Sequence, residues 1–411
     1  MWNKNFLLLW QGLFISQIGT QLFSMALLFW VLETTGSATT MGLVLMAAAL
    51  PGVLLRPFAG TLADNIDRKR LIVMADVVRG LVGICFVLVL WYGQASWALP
   101  VLFFAQIVFG ICDAIFTPAA SASVADLVPK KNLPTANSLL QGSDALTRTA
   151  CFGLGGFLYA AIGGPWLFLI NGISYLLSAF TEFFLNIRQV FPEERMTRKN
   201  ALAKFRRETF EGLRYVWGNH GLRIVIAMLG LINFVIVPGG IALPILVRDT
   251  LQLGPEFLGI LGACQAAGSL AGFVVAGSLP ISPKQRPLLV LASMIIAGVL
   301  MLLLALIRNP TLVLVNLTLF GFLLPLINVN IVSLLQGSTP SEIRGRVMGV
   351  VGTIALGLIP IAQGLSGILI DAVDQRVPII YATAGGLFVA LVLLATCSAA
   401  FRRFLATDYV D

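Results

Sequence analysis

Seven ionisable residues sit inside stretches apolar enough to cross a bilayer: Arg56, Asp76, Arg79, Asp113, Asp144, Arg148 and Glu182. A charge at the centre of a membrane helix costs about 2.5 to 3.5 kcal/mol on insertion scales, so each needs a partner or a task. Asp113 lies in Phe109-Gly-Ile-Cys-Asp-Ala-Ile-Phe-Thr-Pro118. A carboxyl there can be neutral when dry and ionised when a cavity floods, which is the property proton coupling needs; the alternative is a packing hydrogen bond to a neighbouring helix. Asp144 and Arg148 are four apart, on one helical face with the acid first, the better order for an ion pair. That pair is either structural or released by protonation of Asp144 or by an anionic group on a substrate. Asp76 and Arg79, three apart, lie near the start of their span, and with Asp64, Arg68 and Asp126 they are expected to form a cytoplasmic charge network. Glu182 and Arg56 read as interfacial groups or as partners of neighbours.

The spans that position these groups follow from the apolar runs. The chain has 411 residues, 58% hydrophobic and 11% charged, which excludes a soluble fold. Punctuation gives twelve spans, approximately 5–32, 37–62, 71–92, 97–126, 133–162, 165–187, 221–247, 255–279, 286–307, 310–337, 346–371 and 377–401. The expected class is therefore an all-α membrane protein. It divides into an N-terminal six-helix bundle (1–187), a cytoplasmic linker (188–220) and a C-terminal six-helix bundle (221–411). Lys and Arg concentrate at Lys4, Arg68 to Arg70, Lys130 and Lys131, the stretch Arg188 to Arg223, Lys284 and Arg286, Arg344 and Arg346, and Arg402 and Arg403; the opposite loops hold only Arg248, Arg308 and Arg376. This alternation places both termini in the cytoplasm and accounts for the net charge of +8 without a nucleic-acid partner. The first apolar run reads as a retained helix, not a cleaved signal. In the linker, Leu202, Phe205, Leu213, Val216 and Trp217 share a stripe opposite Lys204, Arg207, Glu208 and Glu211. The pattern predicts an amphipathic helix on the cytoplasmic membrane surface, held by anionic lipid.

Several chemistries are excluded. Cys85, Cys112, Cys151, Cys264 and Cys397 are scattered and His220 is the sole histidine, so neither a disulfide framework nor a metal site is expected. No glycine-rich loop followed by Lys-Ser/Thr provides for ATP, and no Ser/His/Asp set provides for hydrolysis. The chain is expected to be neither an enzyme nor a cofactor binder.

A repeat supports two related halves: Gly60-Thr-Leu at the end of span 2 matches Gly277-Ser-Leu at the end of span 8, and Thr117-Pro118 is echoed by Leu324-Pro325. The stretch Gly60-Thr-Leu-Ala-Asp-Asn-Ile-Asp-Arg-Lys-Arg70 reads as a tight loop between spans 2 and 3. It resembles the signature loop of the major facilitator superfamily in Gly60, Leu62, Ala63, Asp64, Arg68 and Lys69, with Asp67 where glycine is commonest. Trp30-Val-Leu-Glu-Thr-Thr-Gly-Ser-Ala, Ala75-Asp76, Phe116-Thr-Pro-Ala119, Leu127-Val-Pro129, Ala136-Asn137 and Arg344-Gly-Arg346-Val are together similar to that superfamily's macrolide-efflux and siderophore-exporter branch. The resemblance implies twelve helices in two pseudo-symmetric halves working by alternating access. It also implies a loop latch on Asp64 and Arg68, with Arg344 and Arg346 nearby. Cys151-Phe152 stands where antiporters of the superfamily show Gly-Pro. The expected function is efflux of an amphiphilic or hydrophobic small molecule by a monomer in the bacterial inner membrane, in exchange for protons. Alternatives are export of a siderophore or other metallophore, and uncoupled lipid flipping.

Overall fold

The computed structural model describes residues 3–187, 189, 198–278, 282, 285–340 and 343–405, without the side chains of 56, 57, 60, 61, 64, 152, 198–206 and 208. Fifteen α-helices, and no strand, make up these residues. Eleven helical stretches among them are long and apolar enough to cross a membrane, twelve if Lys130–Cys151 and Gly153–Ile162, bent by 43°, form one span.

The chain divides into two compact units, residues 1–36 with 44–204 and residues 37–43 with 205–411. The first holds α1 (Lys4–Thr35), most of α2 (Ala38–Asn65), α3 (Arg68–Tyr92), α4 (Ala95–Leu127), α5 (Leu133–Ile162) and α6 (Gly164–Phe183). Asn3 starts α1 by accepting from Phe6 N, while its own amide donates to Leu127 O at the end of α4. Gly36 ends α1 at φ +63°, a conformation that costs glycine least. The helix then packs on α5 and α6, and α3 packs on α4 and α6. Phe23, Trp30, Phe86 and Phe168 form the joint of α1, α3 and α6, with ring centroids 5.0 to 5.8 Å apart. Each such aromatic pair contributes about 0.5 to 1.5 kcal/mol beyond its buried area.

The second unit holds α7 (Arg198–Gly218, from Phe205 onward), α8 (His220–Ile245), α9 (Pro255–Ser278), α10 (Arg286–Leu303), α11 (Pro310–Gly337), α12 (Arg344–Gly357), α13 (Ile359–Ala372), α14 (Val377–Cys397) and α15 (Ala399–Leu405). The expected span 346–371 is two helices, α12 and α13, meeting at Leu358 one residue before Ile359-Pro360, where proline removes a backbone donor. The pairings of the first unit recur: α8 packs on α12, α13 and α14, and α10 on α11 and α14.

The closest approaches recur as well. A Cβ at Gly110 of α4 would fall 2.1 Å from Ala48 O of α2, and one at Gly321 of α11 would fall 2.2 Å from Gln265 O of α9. Ala48 precedes Gly60 by the same interval as Gln265 precedes Gly277, so the contact confirms that part of the repeat. The echo of Pro118 in Pro325 is one turn out of this register. Without lipid-phase hydrophobic attraction between helices, such small-residue crossings are what hold them together.

One reading of the sequence is corrected. The stretch from Gly60 to Arg70, expected as a tight loop, is mostly helix: α2 runs through Asn65 and α3 begins at Arg68, leaving Ile66 and Asp67. Asp67 accepts from Arg70 N and starts α3, which gives an acid a physical reason to stand there. The amphipathic helix expected in the linker is α7, and it packs against α12. A Cβ at Gly212 would fall 2.8 Å from Arg346 O, Val216 is buried, and Glu211 pairs with Arg346 at 2.6 Å and with Arg207 at 2.9 Å. Trp217 of the expected stripe is exposed; Leu202 and Phe205 lie outside the described side chains. The first residues of α2 are held in the second unit by Asp371 of α13, which accepts from Ser37 Oγ and from the amides of Ala38 and Thr39.

Gly110→Val and Gly321→Val should each cost about 1 to 3 kcal/mol through overpacking, read as a lower melting temperature in detergent. Gly240→Ala, where a Cβ meets nothing within 4 Å, is the control. For Glu211, the hydrogen bond from Arg207, with added attraction from Arg346, holds the carboxyl below its ordinary value of 4.5. A lowered acid stabilises fully above that ordinary value, and the contribution is lost as pH falls through the folded one. The melting difference between wild type and Glu211→Gln should therefore be present at neutral pH and vanish in acid; a difference that grows on acidification would contradict the pairing.

Candidate functional site

Among the described residues, the buried charged side chains are Asp76, Arg79 and Glu182 in the first unit and Arg286 in the first turn of α10. The polar groups inside the second unit are instead neutral. Asn233, Asn316 and Asn330 donate to the carbonyls of Ala355, Leu300 and Leu326, and Tyr381 Oη donates to Gly239 O. Ile236, Gly239, Leu243, Gln265, Met301 and Tyr381 line an apolar cavity of about 100 Å³ there, room for an aliphatic or ring fragment and well short of the roughly 300 Å³ of a drug-sized site.

The first unit's charges fall into four groups. The innermost is built by the α3–α6 contact. Gly80 and Gly83 face Gly172 so closely that a Cβ at Gly80 would fall 3.0 Å from Gly172 O, and one at Gly83 would fall 3.3 Å from Gly172 Cα. One turn from Gly80, Asp76 Oδ1 accepts from Arg79 Nη2 at 2.6 Å. The guanidinium lies between two rings, 4.4 Å from the centroid of Phe116 on α4 and 4.6 Å from that of Tyr175 on α6. Such stacking suits a weakly hydrated, planar cation. Glu182, also fully buried, comes from α6 beside Asp76 and Ser178, close under Gly12 of α1.

Asp113 and Arg148 are exposed and Asp144 is half-buried. Thr117 Oγ1 donates to Asp113 Oδ1 at 3.4 Å, and Asp144 meets Arg148 at 2.8 Å, as their spacing predicts. Trp10 Nε1 donates to Ser143 Oγ, pinning this part of α5 to α1. Charges exposed along membrane-spanning helices require water or protein beside them, since lipid satisfies neither.

The last pair lies at the ends of the helices. Arg68 meets Asp126 at 2.5 Å while its Nε donates to Ala63 O, and Gln189 donates to Ala63 O and Ile66 O and accepts from Arg68 N. The short turn between α2 and α3 is thus tied to the end of α4 and to the segment after α6. Of the expected network of Asp64, Arg68, Asp76, Arg79 and Asp126, the described side chains show the pairs Arg68–Asp126 and Asp76–Arg79. Gly60 and the side chain of Asp64 lie outside the described side chains, as does Arg56. Arg344 Nε donates to Thr339 O within the second unit, and Arg346 is taken by Glu211.

Sequence reasoning left Glu182 as either interfacial or paired with a neighbour, without naming Asp76 as that neighbour. The signal that would have placed it was the glycine spacing: Gly80, Gly83 and Gly172 mark the α3–α6 crossing, and Asp76 and Glu182 lie on the same side of it, toward the start of α3 and the end of α6.

Several known proteins share this sequence pattern and fold. Macrolide efflux protein A of Streptococcus pyogenes is 24% identical over 375 residues, covering 90% of this chain and 91% of that protein. Uncharacterized MFS-type transporter YfiS of Bacillus subtilis is 28% identical, covering 96% and 93%. Multidrug efflux pump Tap of Mycolicibacterium fortuitum is 26% identical, covering 92% and 91%. Among solved structures, a bacterial homologue of the iron transporter ferroportin in the inward-facing state superposes with a TM-score of 0.72 at 17% identity, covering 96% of this chain and 99% of that one. A bacterial homologue of the human lysosomal transporter Spinster superposes with a TM-score of 0.61 at 16% identity, covering 98% and 96%. The Major Facilitator Superfamily profile matches residues 9–362, and with the helical pairing repeated in both units the chain belongs to that superfamily of membrane transporters.

Proposed function

We propose that this protein exports an amphiphilic or hydrophobic small molecule across the bacterial inner membrane in exchange for protons, as a monomer with both termini in the cytoplasm. The observation that carries the reading is the placement of charge: carboxyl groups line the exposed face of α4 and α5 at Asp113 and Asp144, while the interior of the second unit offers neutral amides and an apolar cavity. An exchanger needs groups that water can reach and that change charge on protonation, and Asp113 and Asp144 satisfy both conditions. Arg148, paired with Asp144, is the group that would meet an anionic part of the cargo. Kinship with proteins named for macrolide and multidrug efflux supports outward transport of drug-like molecules. The Arg68–Asp126 pair, with Gly60 and Asp64 in the last turns of α2, is assigned the cytoplasmic latch. It joins α3 to α4 at an end where a rearrangement of either would have to break it.

The test is transport by purified protein in proteoliposomes under an imposed pH gradient, with macrolides, lipophilic dyes and siderophores as cargo. The expected result is gradient-stimulated movement of a macrolide or dye, with stimulation lost in Asp113→Asn while the protein inserts normally. Equal transport with and without the gradient would refute antiport, and movement of siderophores alone would refute the drug-like cargo.

A further inference from the structure

The cluster of Asp76, Arg79 and Glu182 has no part in the reading above, which puts proton exchange on the exposed acids of α4 and α5. Its charges do not balance. One guanidinium faces two carboxyls, all three from buried positions, with Asp76 and Glu182 at 0% exposure. Asp76 Oδ1 is taken by Arg79, but Asp76 Oδ2, Glu182 Oε1 and Glu182 Oε2 find no hydrogen-bond partner among the described residues. Two ionised carboxylates here would leave a net negative charge away from water with at most the one Ser178 hydroxyl to serve three carboxylate oxygens, an arrangement that burial strongly disfavours. One proton removes the difficulty, because a protonated carboxyl donates where its neighbour accepts, and like acids sharing a site hold one between them.

We propose that Asp76 and Glu182 share a single proton opposite Arg79, and that this buried proton is the one exchanged during transport, with Asp113 as its relay to water. The coupling part rests on the antiport reading; the shared proton does not. The groups that face the pair come from each helix packed on it. α3 supplies Arg79, α4 supplies Cys112 and Asp113, both within electrostatic reach of Arg79, and α6 supplies Tyr175 and Ser178. From α1 come Gly12 and Thr20, neither titratable, the latter bonded to Tyr175 Oη. Arg79 is thus shared between a dry acid, Asp76, and an exposed one, Asp113. When Asp113 takes a proton from water, Arg79 is left wholly to Asp76; when the buried proton passes outward to an ionised Asp113, the two bare carboxylates draw in water or push their helices apart. Gly12 makes α1 sensitive to this step, since a Cβ there would fall 3.1 Å from Glu182 Oε1 and 3.0 Å from Ser178 Oγ. Any swelling or hydration around Glu182 must displace α1 from α6.

Infrared difference spectroscopy of the purified protein in lipid between neutral and alkaline pH reads the proton directly. The wild type should show a protonated-carboxyl C=O band at neutral pH that bleaches on alkalinisation. Glu182→Gln should lack that band, and Asp76→Asn, which removes the acceptor, should shift it. The Asp76→Asn shift decides the matter even if Glu182→Gln is not recovered folded. In proteoliposomes, Glu182→Gln should lose stimulation by the pH gradient. A wild-type spectrum without a band sensitive to either substitution overturns the shared proton. Full gradient stimulation in Glu182→Gln overturns its role in coupling. A wild type that gains nothing from the gradient refutes antiport itself, and the spectrum still decides whether the proton is there.

Discussion

A charge carried inside a membrane-spanning helix must be met by protein or by water, because hydrocarbon offers it nothing. In this chain that constraint is concentrated on Arg79. Asp76 one turn away neutralises the guanidinium, and the faces of Phe116 and Tyr175 cover it, so one cation draws on α3, α4 and α6 at once. Removing any one of these groups would leave a buried ion short of a partner, which is far costlier than never having had the ion.

The glycines serve that arrangement. Gly80 and Gly83 bring α3 against Gly172 of α6, Gly19 brings α1 against Ser174, and Gly12 lets α1 come down beside Glu182. Close approach has two effects in a membrane. It gives dispersion contacts that replace the missing hydrophobic drive between helices, and it excludes lipid and water from the polar groups at the crossing. The aromatic joint of Phe23, Trp30, Phe86 and Phe168 fills the wider part of the same three-helix seam. Asymmetry follows from this: the second unit repeats the helix pairings and the glycine crossing at Gly321, but puts neutral amides on backbone carbonyls where the first puts charges. A helical interior whose polar groups are neutral amides keeps apolar room without desolvating an ion.

The linker shows how much a local pattern leaves open. Leu213, Val216 and Trp217 share a helical stripe, and a stripe is equally suited to a membrane surface or to another helix. Gly212 and the pair of Glu211 with Arg346 bring the α7 backbone against α12, while Trp217 stays exposed. The turn between α2 and α3 is similar. Its charges read as a loop, yet Asp67 starts a helix and Arg68 turns back to Ala63 O and Asp126, so the helices nearly meet.

What the sequence alone determined was whatever depends on one-dimensional pattern: the helical class, nearly all the spans, the repeat through Gly60 and Gly277, and the i,i+4 and i,i+3 pairings of Asp144 with Arg148 and of Asp76 with Arg79. Hydropathy over a bilayer's thickness and the rise of a helix are properties of adjacent residues, and adjacent residues are what a sequence lists. Only the tertiary structure decided that Glu182 stands beside Asp76, that Asp113 is exposed on α4 while remaining within reach of Arg79, and that Arg68 pairs with Asp126. Those facts depend on how α6 is rotated and slid against α3, to within one turn. That rotation is set by where glycines permit contact and where rings fill the gaps, a sum over three helices far apart in the chain.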